Sequence, residues 1–166
     1  MPSINSYVVY GTSGACRIAD ICTRNIGMGD RQYYVLTPVF GDRSVFYVPT
    51  DNPAGVGMLR SVMSGDEARS FIRSMNTQPY EWEPDNRKRH DLYTQTFRAC
   101  DPRELLQLIR ALYHQKQERA KAGKKLGIAD ENAMSKALYV LHSELALALG
   151  LELDKVTDYI KEQIEK

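Results

Sequence analysis

Cysteine is scarce in this sequence and poorly spaced for chemistry: Cys16, Cys22 and Cys100 make neither an even set nor a close ligand pair. That argues against a disulfide framework and a structural zinc site, and for a reducing compartment. Histidine is equally thin. His90, His114 and His142 stand far apart, with no HExxH, no CxxC and no carboxylate pair on one helical face to complete a metal site. His142, Ser143 and Glu144 match a catalytic triad by residue type, but successive helical residues point about 100° apart and cannot relay a proton among themselves. Gly11, Thr12, Ser13 and Gly14, like Gly55, Val56 and Gly57, read as turns, since neither group continues as GxxxxGK[ST] or as a complete GxGxxG between strand and helix. Long apolar runs are missing too. Residues 145–149 fall far short of the roughly 20 needed to span a bilayer, and residues 1–6 show no basic region followed by an apolar stretch. No internal repeat, low-complexity tract or useful heptad run is present. The expectation is a cytoplasmic globular protein that is not an enzyme, with no metal, no cofactor, no small-molecule substrate and no membrane partner.

Net charge is also nearly absent, at +1, but its distribution is uneven. Residues 1–60 hold five basic and four acidic side chains, and residues 61–79 hold two of each. Residues 80–125 hold eleven basic against seven acidic, whereas residues 126–166 hold four against eight. A polyanion responds to such local density and not to the total, so residues 80–125 are the candidate phosphate surface.

With 166 residues and 43% apolar content the chain can bury a real core, in two small domains at most. Its first sixty residues alternate with period two, pairing Tyr7 with Val9, Cys16 with Ile18, Tyr33 with Val35 and Val45 with Tyr47. Turn residues separate these runs at 11–14, at 27–30 and at Gly41 with Asp42, the last suited to a short hairpin, and Pro49 should stop the final strand. Four or five short strands in this space imply a small, strongly bent sheet or barrel. After Gly57 the period becomes helical, and Pro49, Pro53 and Gly55 mark a boundary near residue 60. Ser64 can cap a helix over 67–75, and another should run over 85–98. Asp101, Pro102, Arg103 and Glu104 form a start signal with Glu104 closing a capping box. Leu105, Leu108, Ile109, Leu112 and Tyr113 then share one face of a helix of about five turns that Gly123 ends. A helix from near Gly127 to Gly150 carries Met134, Ala137, Leu138, Leu141, Leu145 and Ala148, and Val156, Ile160 and Ile164 give a last short helix its buried side. The fold class is α+β: residues 1–60 form the bent sheet and residues 61–166 an all-helical bundle.

Trp82, the only tryptophan, lies between Pro79 and Pro84, where a stiff segment could hold its ring outward, although a lone tryptophan is more often core. A large exposed ring beside a basic helix start is the chemistry of a minor-groove wedge, with neighbouring basic residues fixing register on phosphates. Arg87, Lys88 and Arg89 supply that start. At about 100° per residue the three cannot all face one groove, so one or two contacts are expected, Arg87 with either Lys88 or Arg89.

Val8, Val9 and Tyr10 with Gly14 after them, the run YYVL at 33–36, Tyr47 with Val48 and Pro49, Trp82 followed by basic residues, and SELALA at 143–148 share an order and spacing. Together they resemble the CarD and CdnL-like transcription regulators, whose N-terminal domain is shared with the transcription-repair coupling factor. The similarity spans nearly the whole chain. It implies a Tudor-like domain at 1–60 that docks on the lobe of the RNA polymerase β subunit. It implies too that the helical domain at 61–166 contacts promoter DNA at the upstream edge of the bubble, so that the protein is a bacterial modulator of open-complex stability. Carried over by position, the polymerase contacts fall on Arg24, Asn25, Ile26 and Tyr47, and the wedge on Trp82. The sequence departs from the family pattern at Gly11, where Pro is usual, at Tyr47, where a basic residue is common, and at Glu83, Pro84 and Asp85, which separate Trp82 from its basic neighbours. Glu131 and Asn132 likewise occupy helix-start positions that are often basic. An alternative keeps the polymerase docking and gives the helical domain a protein partner, with Trp82 as interface anchor.

Overall fold

The computed structural model describes residues 2–27, 29–41 and 43–165. Five strands come first: β1 (Tyr7–Tyr10), β2 (Gly14–Asn25), β3 (Asp30–Pro38), β4 (Phe46–Pro49) and β5 (Leu59–Ser61). They pair antiparallel in the order β4-β3-β2-β1-β5. The register between β2 and β3 shifts between Ile18 and Asp20, and such a bulge bends a long strand and increases its twist. Pro49 does end β4, but it is not the last strand. After a one-turn helix α1 (Pro53–Val56), capped by Asn52, the chain returns to lay β5 beside β1. The expected alternation at Val45 and Tyr47 is also out of step: β4 starts at Phe46, and Phe46 and Val48 turn inward while Tyr47 stays exposed. Asp42, half of the expected hairpin connection, and Met28, within the expected turn at 27–30, lie outside the described residues.

The helices are α2 (Gly65–Arg73), α3 (Asn86–Ala99), α4 (Pro102–Lys121), α5 (Ile128–Leu149) and α6 (Val156–Glu165). Their starts follow local chemistry. Ser64 and Glu67 form a reciprocal capping box on α2, and Asp85 accepts from the Lys88 N–H at the head of α3. Asp101 caps α4 by accepting from the Arg103 N–H at 2.8 Å, in place of the box expected with Glu104. The buried side of α4 is Leu105, Leu106, Leu108, Ala111 and Leu112, and Tyr113, expected inside, is 54% exposed.

Adjacent residues of a strand point to opposite faces, and β1 uses both. Val8 joins Cys16, Ile18, Tyr34, Leu36 and Val48 inside the bent sheet, whereas Val9 enters the helical core beside Tyr93, Cys100, Leu105 and Leu112. The sheet and the helices therefore share a core. Helix α5 lies against β2, where Gly14 has a φ of +72° and a methyl group at its Cα would sit 2.5 Å from Ser143 Oγ. Only glycine satisfies both conditions.

Two buried polar residues of α5 fasten the halves together. Ser143 Oγ accepts from the Ala15 N–H at 2.9 Å and donates to the Val140 carbonyl. Glu144, fully buried, takes a bidentate pair of bonds from Arg60 at 2.7 Å each and a third from the Met63 N–H at 2.9 Å. Arg60 Nε also donates to the Cys100 carbonyl. A buried carboxylate persists only with such a full set of partners. Ser143 and Glu144, two of the three residues that imitate a triad in sequence, are thus a fastening between strand and helix.

Candidate functional site

The sheet brings distant residues together at the end remote from this junction. Arg24 lies near the end of β2 and Tyr47 on the neighbouring edge beyond β3, and the Arg24 guanidinium sits 4.7 Å from the Tyr47 ring centroid and donates to its hydroxyl. Tyr33 meets the same ring edge-on at 6.3 Å. Arg31, opposite Arg24 in the ladder, is committed to Asp51 at 2.7 Å. Asn25 accepts from the Gly27 N–H and so closes the turn that carries Ile26, which is 55% exposed. Arg24 and Tyr47 therefore form one surface of a cation and an aromatic ring, with the exposed Ile26 two residues after Arg24 in the turn.

The second group lies on the helical half. Residues 78–85 follow no helix or strand, and Trp82 within them is half-buried, packed against the helical core. Its ring carries the Arg89 guanidinium 4.5 Å from its centroid. Arg89 itself is buried, and its five N–H groups are all directed at acceptors. Nε and Nη2 reach the two Asp130 oxygens at 2.9 and 3.1 Å, Nη2 also reaches Asn86, and Nη1 faces the Glu83 and Pro84 carbonyls. Tyr93 donates its hydroxyl to Asp130 at 2.6 Å. Burial by itself opposes charge on Asp130, but the hydrogen bonds from Arg89 and Tyr93 prevail and hold its carboxyl below the usual range. The Tyr93 hydroxyl is pushed up by burial and by the Asp130 carboxylate it faces.

This arrangement corrects one expectation. Arg89 has no donor left for a phosphate oxygen, while Arg87 and Lys88, two and one residues earlier, are exposed on α3. Trp82 is neither a free wedge nor a fully buried core residue. One side packs inward, and it borders a groove of about 540 Å³ lined by Tyr80, Leu92 and Leu108 together with Glu81, Glu83 and Glu104.

A model of the CarD-like/TRCF RID domain matches residues 3–63, and a model of the CarD C-terminal domain matches residues 71–161. The chain belongs to the CarD family. CarD proteins are transcription regulators that interact with RNA polymerase, and the two matches follow the division between the five-stranded sheet and the helices. In CarD terms, the Arg24–Tyr47 surface lies on the part matched by the first model, and the Trp82 cluster on the part matched by the second. Sequence reasoning misses Arg60, Tyr93, Asp130, Ser143 and Glu144. The available signal is polarity in the wrong place: Ser143 and Glu144 interrupt an apolar run on the core side of α5, where a polar group needs a partner.

Proposed function

We propose that this CarD-family chain docks on the β-subunit lobe of RNA polymerase through Arg24, Asn25, Ile26 and Tyr47, and touches promoter DNA at the upstream edge of the bubble through Trp82, Arg87 and Lys88. In this reading it acts in the bacterial cytoplasm as a modulator of open-complex stability. The division of labour falls near residue 60, with polymerase on the sheet side and DNA on the helical side. The observation that carries the reading is the position of the two surfaces on one body: the Arg60–Glu144 pair and the Ser143–Ala15 bond tie them together, so a protein held on polymerase would present α3 at a set place. Such tethering raises the local concentration of a weak DNA contact. The contact is expected to be weak alone, because Glu81, Glu83 and Asp85 lie close before Arg87 and Lys88 in the chain and repel phosphate.

The test is the lifetime of a promoter open complex after challenge with competitor. Arg24→Glu should remove the effect of the protein by undocking it, and Trp82→Ala should remove it while the protein stays docked. Wild-type lifetimes with both variants contradict the reading. The carboxylates that line the groove beside Trp82 favour a second reading, in which the helical half takes a protein partner. Duplex DNA binding that is absent even at low salt would select it.

A further inference from the structure

Segment 78–85 contains Trp82 and belongs to no helix or strand, so nothing periodic fixes where the indole stands. The fixing comes from across the bundle. The Arg89 guanidinium sits over the ring, 4.5 Å from its centroid, and directs Nη1 at the carbonyls of Glu83 and Pro84, the two residues after the tryptophan. It thus holds both the side chain and the backbone of the segment. Arg89 is in turn locked by Asp130 at 2.9 and 3.1 Å, forty-one residues away at the head of α5, and Tyr93 locks Asp130 at 2.6 Å. A guanidinium held along its Nε–Nη2 edge by a carboxylate and through Nη1 by backbone carbonyls cannot rotate, and a cation seated over a ring restrains the ring it covers.

We infer that Asp130 is a positioning residue for Trp82, acting through Arg89, so that the head of α5 sets the angle at which the indole is offered to DNA. The inference rests on the proposed reading of Trp82 as a DNA contact. It differs from a plain core ion pair in what it moves: a core pair alters stability, whereas this one also alters the environment of one ring.

Because Trp82 is the only tryptophan, its fluorescence reports that environment directly. In the full-length chain, Asp130→Asn removes the carboxylate charge at constant size. Arg89→Lys keeps a cation opposite Asp130 but loses the plane and the fork, and it decides the matter if Asp130→Asn does not fold. Either variant, with helix content unchanged, should red-shift the emission and raise the acrylamide quenching constant. Open-complex lifetime should shorten by roughly two- to thirtyfold, the span of a cation–π contact. Polymerase binding should stay at the wild-type level, and adding either change to Trp82→Ala should shorten the lifetime no further than Trp82→Ala alone. Unchanged emission and quenching in a folded variant would overturn the inference, and so would a fluorescence change with unaltered lifetime where Trp82→Ala alone shortens it. If Trp82→Ala alone leaves the lifetime unchanged, the reading of Trp82 as a DNA contact fails and takes the inference with it, even where the fluorescence shift stands.

Discussion

Among the described residues Arg24, Arg89 and Arg110 each sit over an aromatic ring, and the first two, at nearly the same distance from theirs, do opposite things. Arg24 covers Tyr47 at 4.7 Å on the outside of the sheet, and both residues remain exposed. Arg89 covers Trp82 at 4.5 Å, but it is buried and bound to Asp130. Where the cation is exposed, the pair as a whole is available to a partner. Where the cation is buried, it is part of the frame, and the ring is what the frame presents. A basic residue is therefore not a phosphate contact because it lies in a basic run; it is one when its donors are free.

The largest difference between the two stacks should appear in stability. Arg89→Ala leaves Asp130 buried without its cation and is expected to cost about 3 to 5 kcal/mol, whereas Arg24→Ala should stay within about 0.5 kcal/mol. Urea unfolding of the two variants measures this, and equal midpoints would erase the distinction. Arg60→Ala, which strands the fully buried Glu144, belongs with Arg89→Ala at about 3 to 5 kcal/mol. Next comes Trp82→Ala. Because the ring is half-buried, its cost should fall below the roughly 3 to 5 kcal/mol of a fully buried aromatic, yet above that of Tyr47→Ala in the same unfolding experiment.

Much of this architecture is legible in sequence, and what is not has a physical reason. The helix starts at Ser64, Asp85 and Asp101 are local events, decided by side chains within three residues of the bonds they make. The switch from period two to helical period near residue 60 is equally local. Strand β5 is not legible, because three residues cannot display an alternation and its partner β1 lies fifty residues earlier. Tyr113 follows the apolar pattern of α4 yet ends outside, since Leu106 and Ala111 turn the buried side of that helix elsewhere. In the candidate site, Arg87 and Lys88 keep the exposure that the basic run suggests, while Arg89 is taken by Asp130 across forty-one residues. Contacts of that span leave no trace in spacing, and for the same reason the union of Arg24 with Tyr47 is not written in any one segment.

Smaller effects separate the three residues of the basic run. The slope of log affinity for duplex DNA against log salt should shrink by about 0.9 for each of Arg87→Ala and Lys88→Ala that removes a true contact, and Arg89→Gln, in folded protein, should leave it unaltered. A salt titration of the single variants distinguishes them, and a loss of slope on changing Arg89 would contradict its assignment to the frame. The smallest effect is one of pH. The Asp130 carboxyl titrates below its ordinary value, so its contribution to stability is complete above about pH 3.9, the unfolded value, and fades as pH falls through the lower folded one. Trp82 fluorescence should accordingly be flat from neutral pH down to about pH 4 and change only below it.

The decisive measurement is a binding titration of the isolated polymerase β lobe with the full-length chain, wild type against Arg24→Glu. The full chain is required because Val9 and Arg60 of the sheet are built into the helical core and its fastening. The Arg24–Tyr47 surface predicts saturable binding by the wild type and its loss in the variant, with unfolding midpoints unchanged. Equal affinity of the two proteins for the lobe would contradict the placement of the polymerase contact on this face of the sheet.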